Sequence, residues 1–209
     1  MEIRNKVLDV SRRLFVAQGY SKTTIKQIIS EAGITTGSLY HFFQNKEDIL
    51  MHVAAGVFHQ ATELADNIIG DADNPCLRFT LEISLQLHFI LEYGPIGEIY
   101  LAAYGSSQIS ELICMLATER NEELFKGHNP GFTHEDFYTR ALAIKGILHS
   151  FVDEYVHYKK LEDRKRIDSI LELTLSLFNI PAEEIQAVIK KTDKMIKGRL
   201  TELRAYIPK

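Results

Sequence analysis

Five hydrogen-bonding side chains crowd into seven positions of this sequence: Thr35, Thr36, Ser38, Tyr40 and His41. Gly37 stands among them and removes a side chain where a backbone could come close, while Leu39 and Phe42 supply apolar anchors. Such a set can bond to phosphates and base edges, provided a scaffold holds it on one outward face. Lys46 comes next, at the start of another helix, where its ammonium and the helix N-terminus both favour a phosphate. Basic residues concentrate in the same region. Residues 1–46 hold seven basic and three acidic groups, a net +4, so the rest of a chain of total charge −4 carries −8. A small basic head on an acidic body suits a local anion site rather than a protein that coats nucleic acid along its length.

Other chemistry is thinner. His149, Asp153 and His157 recur every four residues and share one helical face. Imidazole and carboxylate suit zinc or a similar divalent ion. Three residues over two helical turns nevertheless span about 12 Å, so at most two could share an ion and a further ligand would have to come from elsewhere. A solvated face is the expectation. His52 and His59 carry still less. Cys76 and Cys114 are too few for a Cys₄ or Cys₂His₂ site, and no basic cluster near either suggests a lowered thiol pKa. No metal and no cofactor is expected, and a reducing compartment suits two cysteines. The chain has no Gly-x-Gly-x-x-Gly, Gly-x-Ser-x-Gly, phosphate-binding loop or Cys-x-x-Cys. Its adjacent acids, Glu122-Glu123 and Asp153-Glu154, point to different helix faces and cannot work as a pair. An enzyme is not expected.

The elements that must position these residues are helical. The 209 residues are 45% hydrophobic and 25% charged, enough for a sizeable core. Only 12 Gly and 5 Pro interrupt the helical periodicity, and no segment alternates cleanly as a strand would. The expected fold class is all-α. An N-terminal three-helix helix-turn-helix unit over residues 1–46 is joined by a long helix to a helical bundle over 47–209, with nine to ten helices in all. Gly19 ends the first helix, Thr24 to Gln27 read as a capping box, Gly33 makes the turn, and Thr35 and Asn45 cap the third and fourth helices. Leu50, Ala54, Val57, Ala61, Leu64 and Ile68 mark the long helix. Later breaks fall at 70–75, at Gly94-Pro95, at Gly105-Ser106 and at 127–131; a ninth helix starts near Glu162, and a tenth runs from Pro181 to near Leu203. No apolar run approaches a membrane span and no signal core lies behind Met1, so a cytoplasmic protein is expected.

Two late helices are broadly apolar. In the eighth the apolar arc spans roughly 220° at 100° per residue, against the 100° or slightly more that a surface helix needs. The ninth is similar. Either both are central core helices, or each packs inward on one flank and against a second copy on the other. The second reading makes Ile144, Ile147, Phe151, Tyr155, Ile170, Leu173 and Leu177 candidates for a homodimer interface.

The stretch Leu14-Phe15-Val16-Ala17-Gln18-Gly19-Tyr20, then Thr23-Thr24-Ile25, Ile28-Ile29, Ala32-Gly33-Ile34-Thr35, Gly37-Ser38-Leu39-Tyr40-His41-Phe42-Phe43 and Lys46-Glu47, resembles the DNA-binding domain of TetR-type transcriptional regulators. The match covers about residues 3–50, and the rest resembles that family only in length and helical pattern. The resemblance implies a homodimeric, ligand-responsive repressor acting on a palindromic operator in double-stranded DNA. It assigns Thr24, Tyr40 and Lys46 to phosphates, and turns Lys26, Thr36, Gly37, Ser38 and His41 toward the groove beside the cap Thr35. Many members carry a longer residue at Thr36. Direct base readout is therefore expected to be thin, with much of the specificity left to Lys26, His41 and DNA shape. Thr24 and Thr35 cap helices with or without DNA, and Tyr40 can pack on the first helix.

The family's two-state logic places an effector pocket between the fifth and eighth helices. Its candidates are Leu85, His88, Phe89, Tyr100, Tyr104, Met115, Leu148 and Val152, with Tyr93 as a further hydroxyl. Such a lining suits a small, largely apolar molecule with few polar groups, and the acidic body favours a neutral or cationic one. Aromatics and Met at helical spacing are, taken one at a time, more often plain core. A regulator governed by a protein partner is the alternative, and it would need no cavity.

Overall fold

Side-chain caps and glycines divide the chain into helices. The computed structural model describes residues 2–70, 74–92, 94–158 and 164–197. Tyr93, the break at 71–73, the start of the ninth helix near Glu162 and the expected end near Leu203 lie outside the described residues. The first helix, α1 (Glu2–Gln18), leads to α2 (Ile25–Ala32). At its start the Thr24 hydroxyl accepts from the Gln27 N–H at 3.2 Å, and the Gln27 carboxamide oxygen accepts from the Thr24 N–H at 2.8 Å. That reciprocal pair satisfies two of the four N–H groups a helix start leaves without partners. Gly33 ends α2 in the left-handed region at φ +59°, its N–H reaching the Ile29 and Ser30 carbonyls; a side chain there would be strained. Thr35 caps α3 (Thr36–Tyr40), and Asn45 caps α4 (Lys46–Ile69) by accepting from the Asp48 N–H at 2.8 Å.

The remaining helices are α5 (Pro75–Glu92), α6 (Gly94–Gly105), α7 (Ser107–Phe125), α8 (His134–Tyr158), α9 (Arg164–Ser176) and α10 (Ala182–Lys197). Among the described residues there is no strand, and no helix is long and apolar enough to cross a membrane. The fold is all-α.

Two buried clusters organise the packing. The larger joins α5, α8, α9 and α10 with the end of α4 around Phe79, Phe125 and Phe178. Phe125 stacks on Phe178 with ring centroids 4.2 Å apart, and Phe79 meets both edge-on at 5.3 and 5.6 Å. The smaller cluster holds Val7, Phe15, Ile28, Leu39 and Phe43 of the head. It does not stop at residue 46. Ile49, Leu50 and Val53 of α4 belong to it, as do Ala103, Ile109 and Ile113 of α6 and α7. The packing division therefore falls inside α4 rather than at its start.

The part of the apolar arc of α8 that enters the core is a stripe of about 80° at 100° per residue. Phe137, Ala141, Ile144, Leu148, Val152 and Tyr155 are buried. Of the interface candidates, Ile144, Tyr155 and Ile170 are interior residues, and the Tyr155 hydroxyl donates to the Leu91 carbonyl at 2.7 Å. The physical reason is that Ile144 and Tyr155 lie on the same helical face as Phe137, Ala141 and Leu148 at 100° per residue, the face that α8 turns to its neighbours α6, α7 and α9. Ile147, Phe151 and Leu177 are half-buried flanks, and Leu173 is 48% exposed.

The α6 contact with α5 and α8 depends on Gly97. A Cβ at that position would lie 2.7 Å from Val156 Cγ2 and 3.3 Å from Ile90 Cγ2. Gly97→Ala is therefore expected to lower stability by about 1–3 kcal/mol through overpacking, read as a lower midpoint in urea unfolding at unchanged m-value.

Candidate nucleic-acid interface and effector cavity

The first helices present a polar tip whose side chains divide into two groups. The first group is committed to the fold. Besides its backbone bond, the Thr24 hydroxyl donates to Gln27 Oε1 at 3.0 Å. The Thr35 and Ser38 hydroxyls lie 2.8 Å apart, and the Ser38 N–H donates to Thr35 Oγ1 at 3.1 Å. These bonds hold the start of α2 and the single-turn α3 in place. The second group faces outward. Lys26, Thr36, Tyr40 and His41 are exposed and make no side-chain hydrogen bond among the described residues, and Gly37 is exposed between them. Tyr40 is 52% exposed rather than packed on α1. The His41 ring rests edge-on against Phe42 at 4.8 Å. An ion pair, Arg13 Nη2 to Glu31 Oε2 at 2.8 Å, ties α1 to α2 behind this tip.

Lys46 belongs with the first group. Its ammonium donates to the Tyr20 and Thr23 carbonyls, both at 3.0 Å, and lies 4.2 Å from the centroid of the Tyr20 ring. Burial holds its pKa below the ordinary lysine value, and burial with the nearby Glu47 raises that of the Tyr20 hydroxyl. Two of its three N–H groups are thus occupied in closing the loop between α1 and α2. The sequence shows a lysine at a helix start but not the two carbonyls, because their approach depends on how that loop folds.

A cavity of about 150 Å³ lies between head and body. Its walls come from α4 (Val53, Val57, Ala61), α5 (Gln86, Phe89, Ile90), α6 (Ile96, Ile99, Tyr100, Tyr104) and, from the head itself, Arg12 and Val16 of α1. The lining is overwhelmingly apolar. One polar group in it, Arg12 Nε, is buried without a hydrogen bond, while the Tyr100 and Tyr104 hydroxyls interact with each other. The Tyr100 and Tyr104 rings stack at 4.3 Å, and burial pushes the Tyr104 hydroxyl up to about 12.

A second hollow of about 60 Å³ shares Phe58, Gln86, Tyr104 and Ile113 with the first. Its lining includes Leu148, Lys145 and a buried ion pair, in which Arg120 Nη2 donates to Glu82 Oε1 at 2.6 Å. Burial raises the Glu82 pKa while Arg120 pulls it back.

Of the eight effector candidates, Phe89, Tyr100 and Tyr104 line the larger cavity and Leu148 the smaller. Leu85 and Val152 are fully buried and line neither, because they sit on the faces of α5 and α8 that fill the body's core. His88 bonds through Nδ1 to the Ser84 carbonyl at 2.7 Å and lines neither. Met115 is 51% exposed on α7, away from both. Sequence reasoning missed the contributions of α4 and α1. The apolar spacing of α4 was visible, but which of its faces bounds a hollow was not. His149, Asp153 and His157 do not converge: His157 Nδ1 pairs with Asp153 Oδ1 at 3.1 Å, and His149 lies near the Tyr104 ring at 6.3 Å.

Residues 7–53 match the family described as bacterial regulatory proteins, tetR family. The head is a TetR-family DNA-binding domain. The chain is similar to the HTH-type transcriptional regulator AcrR of Shigella flexneri, 36% identical over 72 residues, covering 34% of this chain and 30% of AcrR. It is also 36% identical over 73 residues to the uncharacterized HTH-type transcriptional regulator YxaF of Bacillus subtilis, covering 34% of this chain and 38% of that protein. These alignments span about a third of the curated relatives' length. Among solved structures, RolR in complex with resorcinol shares the fold at TM-score 0.70 and 18% identity, covering 90% of this chain and 93% of RolR. A TetR-family regulator from Syntrophomonas wolfei does so at TM-score 0.62 and 23% identity, covering 86% and 96%.

In the TetR-family head, Lys46 has a structural load that is testable without DNA. Lys46→Met removes two charge-assisted bonds and is expected to cost about 2 kcal/mol of stability, measured by urea unfolding of the free protein. A lysine used only for phosphate would leave the midpoint unchanged.

Proposed function

We propose that this protein is a cytoplasmic transcriptional repressor. It binds a palindromic operator as a homodimer and releases it when a small effector fills the cavity between head and body. The observation that carries the reading is the position of that cavity: α1 of the DNA-binding head forms part of its wall. An occupant there touches the reading head directly as well as α4, so it acts on head orientation by its differential affinity for the two arrangements. A regulator answering only to a protein partner would need no such hollow.

At the operator, Lys26, Thr36, Gly37 and His41 face the groove, while Tyr40 contacts a phosphate. Thr24, Thr35, Ser38 and Lys46 position α2 and α3, and the third N–H of Lys46 adds a phosphate contact. The homodimer forms through the outer face of α8 and α9. There Leu142 and Leu173 are exposed beside Ala143 and Gly146, with Ile147, Phe151 and Leu177 on the flanks. Small residues let a two-fold related helix approach closely.

The effector is a single-ring or similarly sized apolar molecule bearing an anionic or strongly accepting group. A dry cavity of about 150 Å³ holds a benzene-sized body, and resorcinol, the ligand of RolR, is one ring. Arg12 Nε is a donor without an acceptor, and a buried unmatched donor is costly until something accepts from it. The Arg12 guanidinium pairs with Asp9 through Nη1 at 4.0 Å, and its Nε in the wall acts at contact distance while surface charges are screened.

Fluorescence anisotropy with the DNA preceding the protein's own reading frame tests both halves. Tyr40→Phe removes one exposed hydroxyl; affinity is expected to fall about tenfold on matched and mismatched DNA alike, with stability unchanged. 3-Phenylpropanoate is expected to release the DNA at a concentration at least tenfold lower than its neutral amide, and Arg12→Met to erase that difference. Equal potency of acid and amide on the wild type would overturn the anionic effector while leaving the DNA-binding reading intact.

A further inference from the structure

Away from the head and both cavities, three donor side chains of different chemistry meet. Cys76 is the second residue of α5, His128 lies in the loop between α7 and α8, and Glu184 is in the first turn of α10. Their ligand atoms all lie within 4.8 Å of one another, and the Cys76 thiol donates to Glu184 Oε1 at 3.5 Å. We infer that Cys76, His128 and Glu184 form a binding site for a zinc-type divalent transition-metal ion.

The distances suit this. Metal–sulfur bonds of about 2.3 Å and metal–nitrogen or metal–oxygen bonds of about 2.0–2.2 Å place neighbouring ligand atoms of a tetrahedral ion roughly 3.3–3.6 Å apart. The cysteine–glutamate pair is already at that spacing. The remaining separations are no more than 4.8 Å, so they need close by at most about 1.5 Å, and His128 can supply the movement because its side chain is exposed.

The three backbones are held independently of any ion. Asn74 Oδ1 accepts from the Leu77 N–H at 2.7 Å and caps the start of α5 beside Cys76. The Thr80 and Thr192 hydroxyls meet at 2.7 Å and lock α5 to α10. Next to His128, the buried Asn129 side chain donates to the Phe125 and Phe178 carbonyls at 3.2 and 2.9 Å and accepts from Asn179 Nδ2 at 2.9 Å. The loop is thus pinned against the turn that leads into α10, and a site whose backbones are fixed loses little conformational freedom on binding.

The donor set selects the ion. A thiolate and an imidazole favour zinc-like ions over magnesium or calcium, which take oxygen ligands almost exclusively. On binding, the Sγ–H bond breaks, its proton passes to solvent and the sulfur electron pair goes to the metal. Thiolate and carboxylate then balance the two positive charges, so a neutral cluster replaces what would otherwise be an uncompensated ion beside a fully buried residue. Three protein ligands leave a fourth position for water. Because 108 positions separate Cys76 from Glu184, the ion would clip together the start of α5, the loop after α7 and the start of α10.

The test is a Co²⁺ titration of the metal-free full-length protein, monitored by absorption. Binding of one equivalent is expected, with a near-ultraviolet thiolate-to-cobalt charge-transfer band and visible bands of tetrahedral intensity, all displaced by Zn²⁺. His128→Ala alters an exposed loop residue and should fold normally; it is expected to weaken Co²⁺ at least tenfold. Cys76→Ala should remove the charge-transfer band, and Cys114→Ala should leave it unchanged. Zn²⁺ should raise the melting temperature of the wild type and of Cys114→Ala but not of His128→Ala. Absence of the band at one equivalent, its survival in Cys76→Ala, or unchanged affinity in His128→Ala would each overturn the site. None of these readouts involves DNA or an effector.

Discussion

The head cannot bury its own first helix. A unit of about fifty residues offers little interior, and α1 packs on α4 and α6 as well as on α2 and α3. Val7, Val10, Leu14 and Phe15 are nonetheless buried, because the cluster they join also contains Ile49, Leu50 and Val53 of α4 and Ala103, Ile109 and Ile113 of α6 and α7. The core of the head is therefore closed by the body. That shared surface is what makes head orientation depend on α4 and α6, and it is why a hollow can exist with α1 on one side and the body on the other. Packed interiors rearrange between discrete arrangements rather than stretch.

At the tip, polar groups are divided between holding and reaching. Thr24, Thr35, Ser38 and Lys46 commit their donors and acceptors to neighbouring backbone and side-chain atoms. Lys26, Thr36, Tyr40 and His41 are exposed and make no side-chain hydrogen bond among the described residues. A five-residue helix such as α3 has no cooperative stability of its own. Its geometry has to be supplied by a cap, by the buried Leu39 and by the next helix. The committed residues are what allow the free ones to be presented in a fixed array.

Inside the body, local chemistry runs against the average. The chain is acidic overall, yet the wall of the larger cavity carries a guanidinium nitrogen with no acceptor. The sequence is poor in cysteine, yet one thiol meets a carboxylate and an imidazole. Elsewhere a buried carboxylate, Glu82, is answered by Arg120, which also reaches Asp66 and Glu123. Groups of this kind are matched or left open one at a time, and composition says nothing about which.

Features legible in the amino-acid order alone were local or repetitive. The capping box at Thr24, the left-handed turn at Gly33, the caps at Thr35 and Asn45 and the apolar spacing of α4 arise from interactions within a few residues. With them came the all-α class and the likeness of the first fifty residues to a DNA-binding head. Features settled by packing depend on residues far apart in the chain. The arc of α8 was visible, but not that the face carrying Ile144 and Tyr155 with Phe137 and Leu148 is the one turned to α6, α7 and α9. Met115 sits on an apolar pattern and still faces solvent. Arg12 reads as one more basic residue of the head until α1 settles against α4 and α6, and the ammonium of Lys46 meets two carbonyls only after the loop before α2 has closed. Helical periodicity states which residues share a face; it carries no information about which neighbour, or which empty space, that face will meet.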